Sequence, residues 1–510
     1  MGFIFLPIIL LAAGILRFYN NTALALWHDE AFSALYLRYD WGEMMYRIGL
    51  DVHPPLYYIL LRFWTYATGD SLLALRAFSI LFGVLTIWAA YKFVSAAFGS
   101  RKLALLAALF LGINPFQIQY ALEARMYTLG TFLALFSSYL LVRAFENSPR
   151  TFAPDTMREK KHSVNVLKWP KVRGRKYWLW YGLAAAAALY THYYLAFTIA
   201  AQGLFILLYI IKSRNLKILW RSAGAYLLAL ILYLPWLKTF LRQISQVQES
   251  YWIPPIAAWS VPGTIWKMAF GGPGIRNLVL VLTSIIALLI LIKFVRHVKN
   301  FQKWHVAFAV IIPFIAAVGL SLRTNLYLDR YFVFAALYFI ILVVLALYQA
   351  PTRIWRWSLL ILLAIASIYA FFGNWQKLDV RNKPGMAEAA RYLNSNTAAN
   401  DNIYVGSSFV YFTFKYYNKT GVAPLLYSPG KLESIPHFSG TAILTDADLV
   451  SDFNLAPNDS NVFLLWTTGF GGSRPEVPQN WQQLEQKSYE DTPGFKGQIF
   501  VTKYLVKQKK

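Results

Sequence analysis

The chain has 510 residues, of which 57% are hydrophobic and only 14% charged, whereas a soluble domain carries about 25% charged residues. The lack of cysteine excludes disulfides, thiolate metal sites and cysteine nucleophiles. The formal net charge of +25 would suit a nucleic-acid partner, but much of it sits in short connections between apolar runs, so no nucleic acid is expected.

Apolar runs long enough for a hydrocarbon core of about 30 Å recur near 2–18, 72–97, 103–120, 127–145, 178–190, 194–211, 219–235, 277–294, 305–322, 333–349 and 357–373. These eleven or so spans predict a polytopic α-helical membrane protein. The first run lacks a basic start and a small-residue cleavage site, so it is read as a retained helix. Eighteen Trp and 33 Tyr suit residues at a membrane–water interface. One set of connections is basic: Arg101-Lys102, the 147–177 loop, Lys212 to Arg221, Lys293 to Lys303, and Arg353 to Arg356. By the positive-inside rule these face the cytoplasm, with the N-terminus inside and the C-terminus outside. The other set is the 19–71 loop, the 120–126 corner, the 190–194 corner, the 236–276 loop and the 323–332 corner. It holds nearly all the unusual polar residues, and so places them on one external side.

The 19–71 loop is amphipathic and is expected to form interfacial helices, for instance over 32–50. After about residue 374 the composition turns polar. The segment 383–395 predicts a helix entered at Pro384, and 402–406, 441–445, 461–468 and 497–505 predict short strands. The expected organisation is a membrane catalytic part, 1–373, that includes the first external loop, and a small extracytoplasmic α/β domain, 374–510. Asn418-Lys419-Thr420 matches a glycosylation sequon, for which a chance match is at least as good an explanation.

The stretch WHDEAF sets Asp29 and Glu30 just after the first apolar run. A charge at the bilayer centre costs on the order of 2.5–3.5 kcal/mol, so such acids belong at an edge or in a wet cavity. A helix cap is the plain alternative for an isolated Asp-Glu. At a membrane edge, between Trp27 and Phe32, the pair is favoured as catalytic. A carboxylate there could be a general base toward a hydroxyl, worth about 10²–10⁴ in rate, or could hold a divalent metal through hard oxygen ligands. The residues leave both roles open, and no cofactor other than such a metal is a candidate.

His53 precedes Pro54-Pro55 in DVHPPLYY, where the prolines restrict the backbone and would aim the imidazole; a helix entry at the same pair is compatible with this. The corner NPFQIQYALEARMY brings Glu123, Arg125 and Tyr127 to another membrane edge, and an arginine there is well suited to a phosphate. YTHYY adds His192, and LYLDRYF adds Asp329, Arg330 and Tyr331. The chain carries no P-loop, no dinucleotide fingerprint, no HExxH and no GxSxG, so nothing supports ATP use, dinucleotide chemistry, zinc proteolysis or serine hydrolysis.

In this order WHDEAF, HPPLYY, NP…EARMY, YTHYY and DRYF resemble a GT-C-type integral-membrane glycosyltransferase. The likeness is to the bacterial branch related to protein O-mannosyltransferases and lipid A aminoarabinose transferases, and covers roughly 1–373. It implies transfer of a sugar from a polyprenyl-phosphate donor to a lipid, glycan or protein hydroxyl, with inversion, at the outer face of a bacterial inner membrane. Asp29 then matches the acid that activates the acceptor, with Glu30 its usual neighbour. Arg125 matches the position facing the donor phosphate, joined by His53, His192 and Arg330. His53 and His192 stand where the aminoarabinose branch uses Lys, and beside a phosphate they are expected to be protonated. Glu123, Tyr127, Asp329 and Tyr331 are expected to orient sugar or acceptor. Val52 stands where that branch has a metal-binding Glu, which counts against a metal and against aminoarabinose. The competing expectation is a transporter or flippase of lipid-linked sugars. It is disfavoured because the charges collect at span ends and no repeat is evident.

Overall fold

A computed structural model describes residues 2–19, 21–145, 175–249, 252–272, 276–376, 385–469, 472–491 and 497–508. Most of the basic 147–177 loop, and the helix entry at Pro384, lie outside them. The chain forms two compact units. One comprises Met1–Tyr19, Ala77–Leu241 and Ile253–Asn374; the other comprises Asn20–Arg76, Arg242–Trp252 and Trp375–Lys510.

The helices run in chain order α1 (Gly2–Phe18), α2 (His28–Tyr36), α3 (Trp41–Leu50), α4 (Leu56–Thr68), α5 (Leu72–Phe98), α6 (Arg101–Ile113), α7 (Pro115–Ala121), α8 (Tyr127–Phe145), α9 (Arg175–Leu189), α10 (Leu195–Ser213), α11 (Leu216–Glu249), α12 (Ser260–Phe270), α13 (Asn277–His297), α14 (Lys303–Ser321), α15 (Val333–Tyr348) and α16 (Arg353–Gln376). Every apolar run of the sequence holds a helix. Among the described residues eight helices are long and apolar enough to cross a membrane, and α6 with α7, bent by 60° at their break, would make a ninth. The expected number was about eleven. The difference lies in α1 and α9, which are only 17 and 15 residues long, and in the bent pair. The protein is a multi-pass membrane protein.

Within the first unit α15 is the most enclosed span, with 89% of its apolar window buried, whereas α13 and α16 each bury 11%. A polar network runs through this interior. Ser138 Oγ lies 3.0 Å from His305 Nε2 and 2.6 Å from the Tyr338 hydroxyl, and accepts from Gln202 Nε2 at 3.0 Å. Tyr338 donates to the Ala134 carbonyl at 2.7 Å, and Gln202 also reaches Ser137 at 2.9 Å. These fully buried groups join α8, α10, α14 and α15. In a hydrocarbon surround, hydrogen bonds between helices are worth about 0.6–2 kcal/mol each.

In the second unit the first loop folds into α2, α3 and α4. The expected interfacial segment 32–50 is broken at 37–40, where the Asp40 carboxylate accepts from the Glu43 N–H at 2.8 Å and starts α3 anew. The polar C-terminal part adds α17 (Gly385–Asn396), α18 (Ser408–Tyr417) and a six-stranded sheet: β1 (Asn402–Val405), β2 (Leu425–Tyr427), β3 (Leu449–Val450), β4 (Asn461–Thr467), β5 (Trp481–Glu490) and β6 (Gln498–Val506). The strand order is β3-β2-β1-β4-β6-β5, parallel from β3 to β4 and antiparallel from β4 to β5. Three of the four expected strands are present. The fourth, 441–445, is a turn, because its carbonyls are claimed from elsewhere: Arg47 donates to Ala442 O at 3.2 Å and Tyr39 to Ile443 O at 3.4 Å. Arg38 likewise caps the end of α18 through Lys415 O and Tyr416 O, both at 3.3 Å.

Asp448 lies between Lys415 Nζ at 2.5 Å, the Tyr411 hydroxyl at 2.8 Å and the Thr445 hydroxyl at 2.8 Å. Burial alone would raise its pKa, but these donors and the Lys415 charge outweigh burial and hold it below the usual carboxylate value. A folded-state pKa below the unfolded one means that this contribution is complete above about pH 4 and is lost as pH falls through the folded value. Asp448→Asn should therefore lower the melting temperature at pH 7, with the gap to wild type shrinking in melts run at progressively lower pH. In the membrane unit, Tyr338→Phe should cost about 0.6–2 kcal/mol, read as a lower melting temperature in detergent.

Candidate functional site

The acidic pair divides its labour at the start of α2. Glu30 is fully buried, and both its oxygens meet Arg76 in the first turn of α5: Nε to Oε1 at 2.8 Å and Nη2 to Oε2 at 2.7 Å. Its Oε2 also accepts from the Trp27 N–H at 3.3 Å. Arg76 in turn donates to the carbonyls of Asn21, Leu24 (3.0 Å) and Ala25 (3.4 Å). One bidentate ion pair thus fastens the chain leading into α2 to the start of α5. Asp29, the adjacent residue, is half-buried in the first turn of the helix, where the backbone dipole favours a negative charge. Both oxygens of Glu30 are thus engaged by Arg76. Among the described residues no group of three His, Asp or Glu side chains is gathered as a metal would need.

His53 sits in the turn between α3 and α4, with Pro54-Pro55 leading directly into the latter. Its Nδ1 is 2.9 Å from Asp51 Oδ2. The carboxylate fixes a proton on Nδ1 and points Nε2 away, as second carboxylates do for functional imidazoles. Asp51 was not anticipated as a partner, although DVH places it only two residues away.

In the first unit three corners converge. Arg125 is 2% exposed and lies in the irregular 122–126 segment between α7 and α8, where its carbonyl accepts from Ser79 Oγ at 3.4 Å. Arg330 and Asp329 come from a short 3₁₀ turn, Asp329–Phe332, that leads into α15. The charges of Arg330, Arg125 and Glu123, and the phenol of Tyr331, all act on the buried Tyr127 hydroxyl. Those of Glu123, Arg330 and Asp329 act on the hydroxyl of Tyr120. His192, 4% exposed, completes the group, with its ring 5.0 Å from Tyr331, 5.1 Å from Phe334 and 6.0 Å from Tyr127. Glu123, Arg125, Tyr127, His192, Asp329, Arg330 and Tyr331 are therefore brought together within one unit, while Asp29, Glu30 and His53 belong to the other.

Two of these residues have partners that bear on their roles. His192 Nδ1 accepts the Tyr194 N–H at 3.1 Å, which leaves Nε2 as its N–H donor. Asp329 forms an ion pair with Lys267 of α12, which ties up its carboxylate. Tyr120 and Lys267 escaped sequence reasoning. The available signal for Lys267 was a cation beside Trp266 in the 236–276 loop, which also carries Lys238, Arg242 and Arg276; Tyr120 had none beyond its place in the NPFQIQY corner.

Residues 52–152 match the family model described as dolichyl-phosphate-mannose-protein mannosyltransferase. Among solved structures, ArnT from Cupriavidus metallidurans bound to undecaprenyl phosphate is similar at a TM-score of 0.59 and 14% identity over 97% of each chain. The apo state of the same protein gives 0.60, also at 14% identity and 97% of each chain. The oligosaccharyltransferase AglB from Archaeoglobus fulgidus, in complex with an inhibitory peptide and a dolichol-phosphate, gives 0.52 at 11% identity, covering 94% of this chain and 75% of that one. No curated protein sequence matches significantly. The chain is thus a multi-pass membrane protein with the fold of the GT-C membrane glycosyltransferases.

Proposed function

We propose that the protein transfers a sugar from a polyprenyl-phosphate donor to an acceptor hydroxyl on the extracytoplasmic side of a bacterial inner membrane, inverting the anomeric carbon. The observation that carries this is the gathering of Arg125, Arg330 and His192 around Tyr127 from three separate corners of a GT-C fold. Two guanidiniums and an Nε2–H donor, lined by aromatic rings, suit a phosphate joined to a sugar.

The donor phosphate falls to Arg125, Arg330, His192 and His53. They stabilise the charge that grows on the phosphate oxygen as the C1–O bond breaks, so the leaving group departs as a phosphate without needing a proton. Asp29 takes the proton of the acceptor hydroxyl as its oxygen bonds to C1 from the opposite face. Glu30 keeps the helix that carries Asp29 in register through Arg76, acting as a positioning residue. Tyr127, Tyr331 and Glu123 orient the sugar. Asp329 contributes through Lys267, which brings a further cation to the 3₁₀ turn. The acceptor class is a lipid, glycan or protein hydroxyl.

Transfer of a labelled sugar by the purified protein in liposomes tests this. Asp29→Asn should lower the rate by about 10²–10⁴ at unchanged expression, and a variant that retains wild-type transfer removes Asp29 as the base. Arg125→Ala should raise the apparent KM for the polyprenyl-phosphate sugar, and an unchanged value counts against the phosphate role. A flippase would move the lipid without forming a new glycosidic bond, so a product stable to mild acid separates the two activities.

A further inference from the structure

Arg17, the next-to-last residue of α1, is 1% exposed, and among the described residues its hydrogen-bond partners are all backbone carbonyls. Nη1 donates to Ala13 O at 3.1 Å and to Gly112 O at 2.8 Å, and Nη2 donates to Leu111 O at 3.4 Å. Leu111 and Gly112 are where α6 stops and the chain turns by 60° into α7. In a continuous helix the Leu111 carbonyl would accept from residue 115, but that residue is a proline and has no N–H. The Gly112 carbonyl would accept from Phe116, which the bend carries away. Within a membrane no water replaces these donors, and an unanswered carbonyl costs several kcal/mol. Arg17 supplies the missing donors and places a positive charge at the negative end of α6.

The surroundings are shaped for this side chain. A Cβ on Gly83 would lie 3.2 Å from Ala121 Cβ, 3.4 Å from Arg17 Nε and 3.5 Å from Arg17 Cδ. A Cβ on Gly112 would meet Ala13 at 3.5 Å. Two further side chains hold the far side of the bend. Asn114 Oδ1 accepts from the Gln117 N–H at 3.0 Å while its Nδ2 donates to Met268 O and Ala269 O, and Gln117 Nε2 donates to Val333 O at 3.0 Å. The helix so fixed, α7, ends one residue before the segment that carries Glu123 and Arg125.

We propose that Arg17 is a positioning residue for the donor-phosphate corner: it stabilises the bend at Asn114-Pro115 and thereby sets where Arg125 and Tyr127 stand. This rests on the proposed donor site, yet its structural half can be read without any transfer assay. Because the chain has no cysteine, Leu109→Cys on α6 and Gln119→Cys on α7, both exposed, accept spin labels at these two places only. Arg17→Met should broaden and lengthen the distance between the labels. It should also lower transfer on the order of 100-fold, with a raised KM for the donor. Adding Pro115→Ala returns an N–H to the Leu111 carbonyl. The double variant should therefore regain most of the melting temperature lost in Arg17→Met, while both the altered label distance and the weak donor use persist. If Arg17→Met does not fold, the double variant carries the same comparison with wild type. Label distances equal to wild type in the variant studied, or wild-type transfer in the double variant, would overturn the proposal. If the wild-type protein transfers no sugar the proposed reaction fails, but the label distances still decide the role of Arg17.

Discussion

A hydrocarbon surround offers no hydrogen bonds, so each interruption of a membrane helix must be answered by another part of the chain. The break between α6 and α7 is where this constraint acts most strongly here. Proline removes a donor, the bend removes a second, and the guanidinium of Arg17 faces both carbonyls. The same requirement explains Asn114, whose amide serves the last carbonyls of α12 while its oxygen starts α7. The Ser138–His305–Tyr338–Gln202 network is another instance, with polar groups admitted to the interior because they find one another. An irregular corner can exist at such a depth only with this support. Irregular corners are also where Arg125, His192 and Arg330 lie.

The acidic pair shows how neighbours in sequence acquire different physical fates. The helical step between residues 29 and 30 turns one side chain fully inward and leaves the other half-buried. Glu30 gives both oxygens to Arg76 and fixes the entry of the helix. Asp29 stays in the first turn of the helix, half-buried. Removing a partner from a fully buried pair would strand a charge, so Glu30 and Arg76 stand or fall together.

The apolar runs were legible because burial in a membrane imposes length and composition on each, and every run did become a helix. What a hydropathy reading misses is geometry within a run: the 60° bend at Asn114-Pro115 has the proline as a signal, but nothing local names Arg17, 95 positions before Gly112, as its counterpart. The corner residues could be listed because polar groups at span ends are conspicuous. Their partners could not. His192 meets the Tyr194 N–H and Asp329 meets Lys267, both consequences of folding. In the C-terminal part β1, β4 and β6 were readable as apolar strands. The helix α18, SFVYFTFKYY, carries residues that favour strands and is helical through packing. The strand β5 was missed because eight of its ten residues are exposed.

The order of strands in the sheet carries a consequence for synthesis. β6 lies between β4 and β5 although it follows both in the chain. Until it emerges, β4 can pair with β1 on one side only, and its other edge, apolar along Val462 to Trp466, stays open. A nascent chain therefore presents an unsatisfied strand edge throughout the production of some thirty intervening residues. The long, water-facing β5 is made during that interval but joins the sheet only through β6; as the edge strand of the finished sheet, its Glu485 and Lys487 side chains are of the kind that discourage edge-to-edge pairing with another molecule. The strand least visible to a hydrophobicity reading thus guards the edge of the sheet once β6 has closed it.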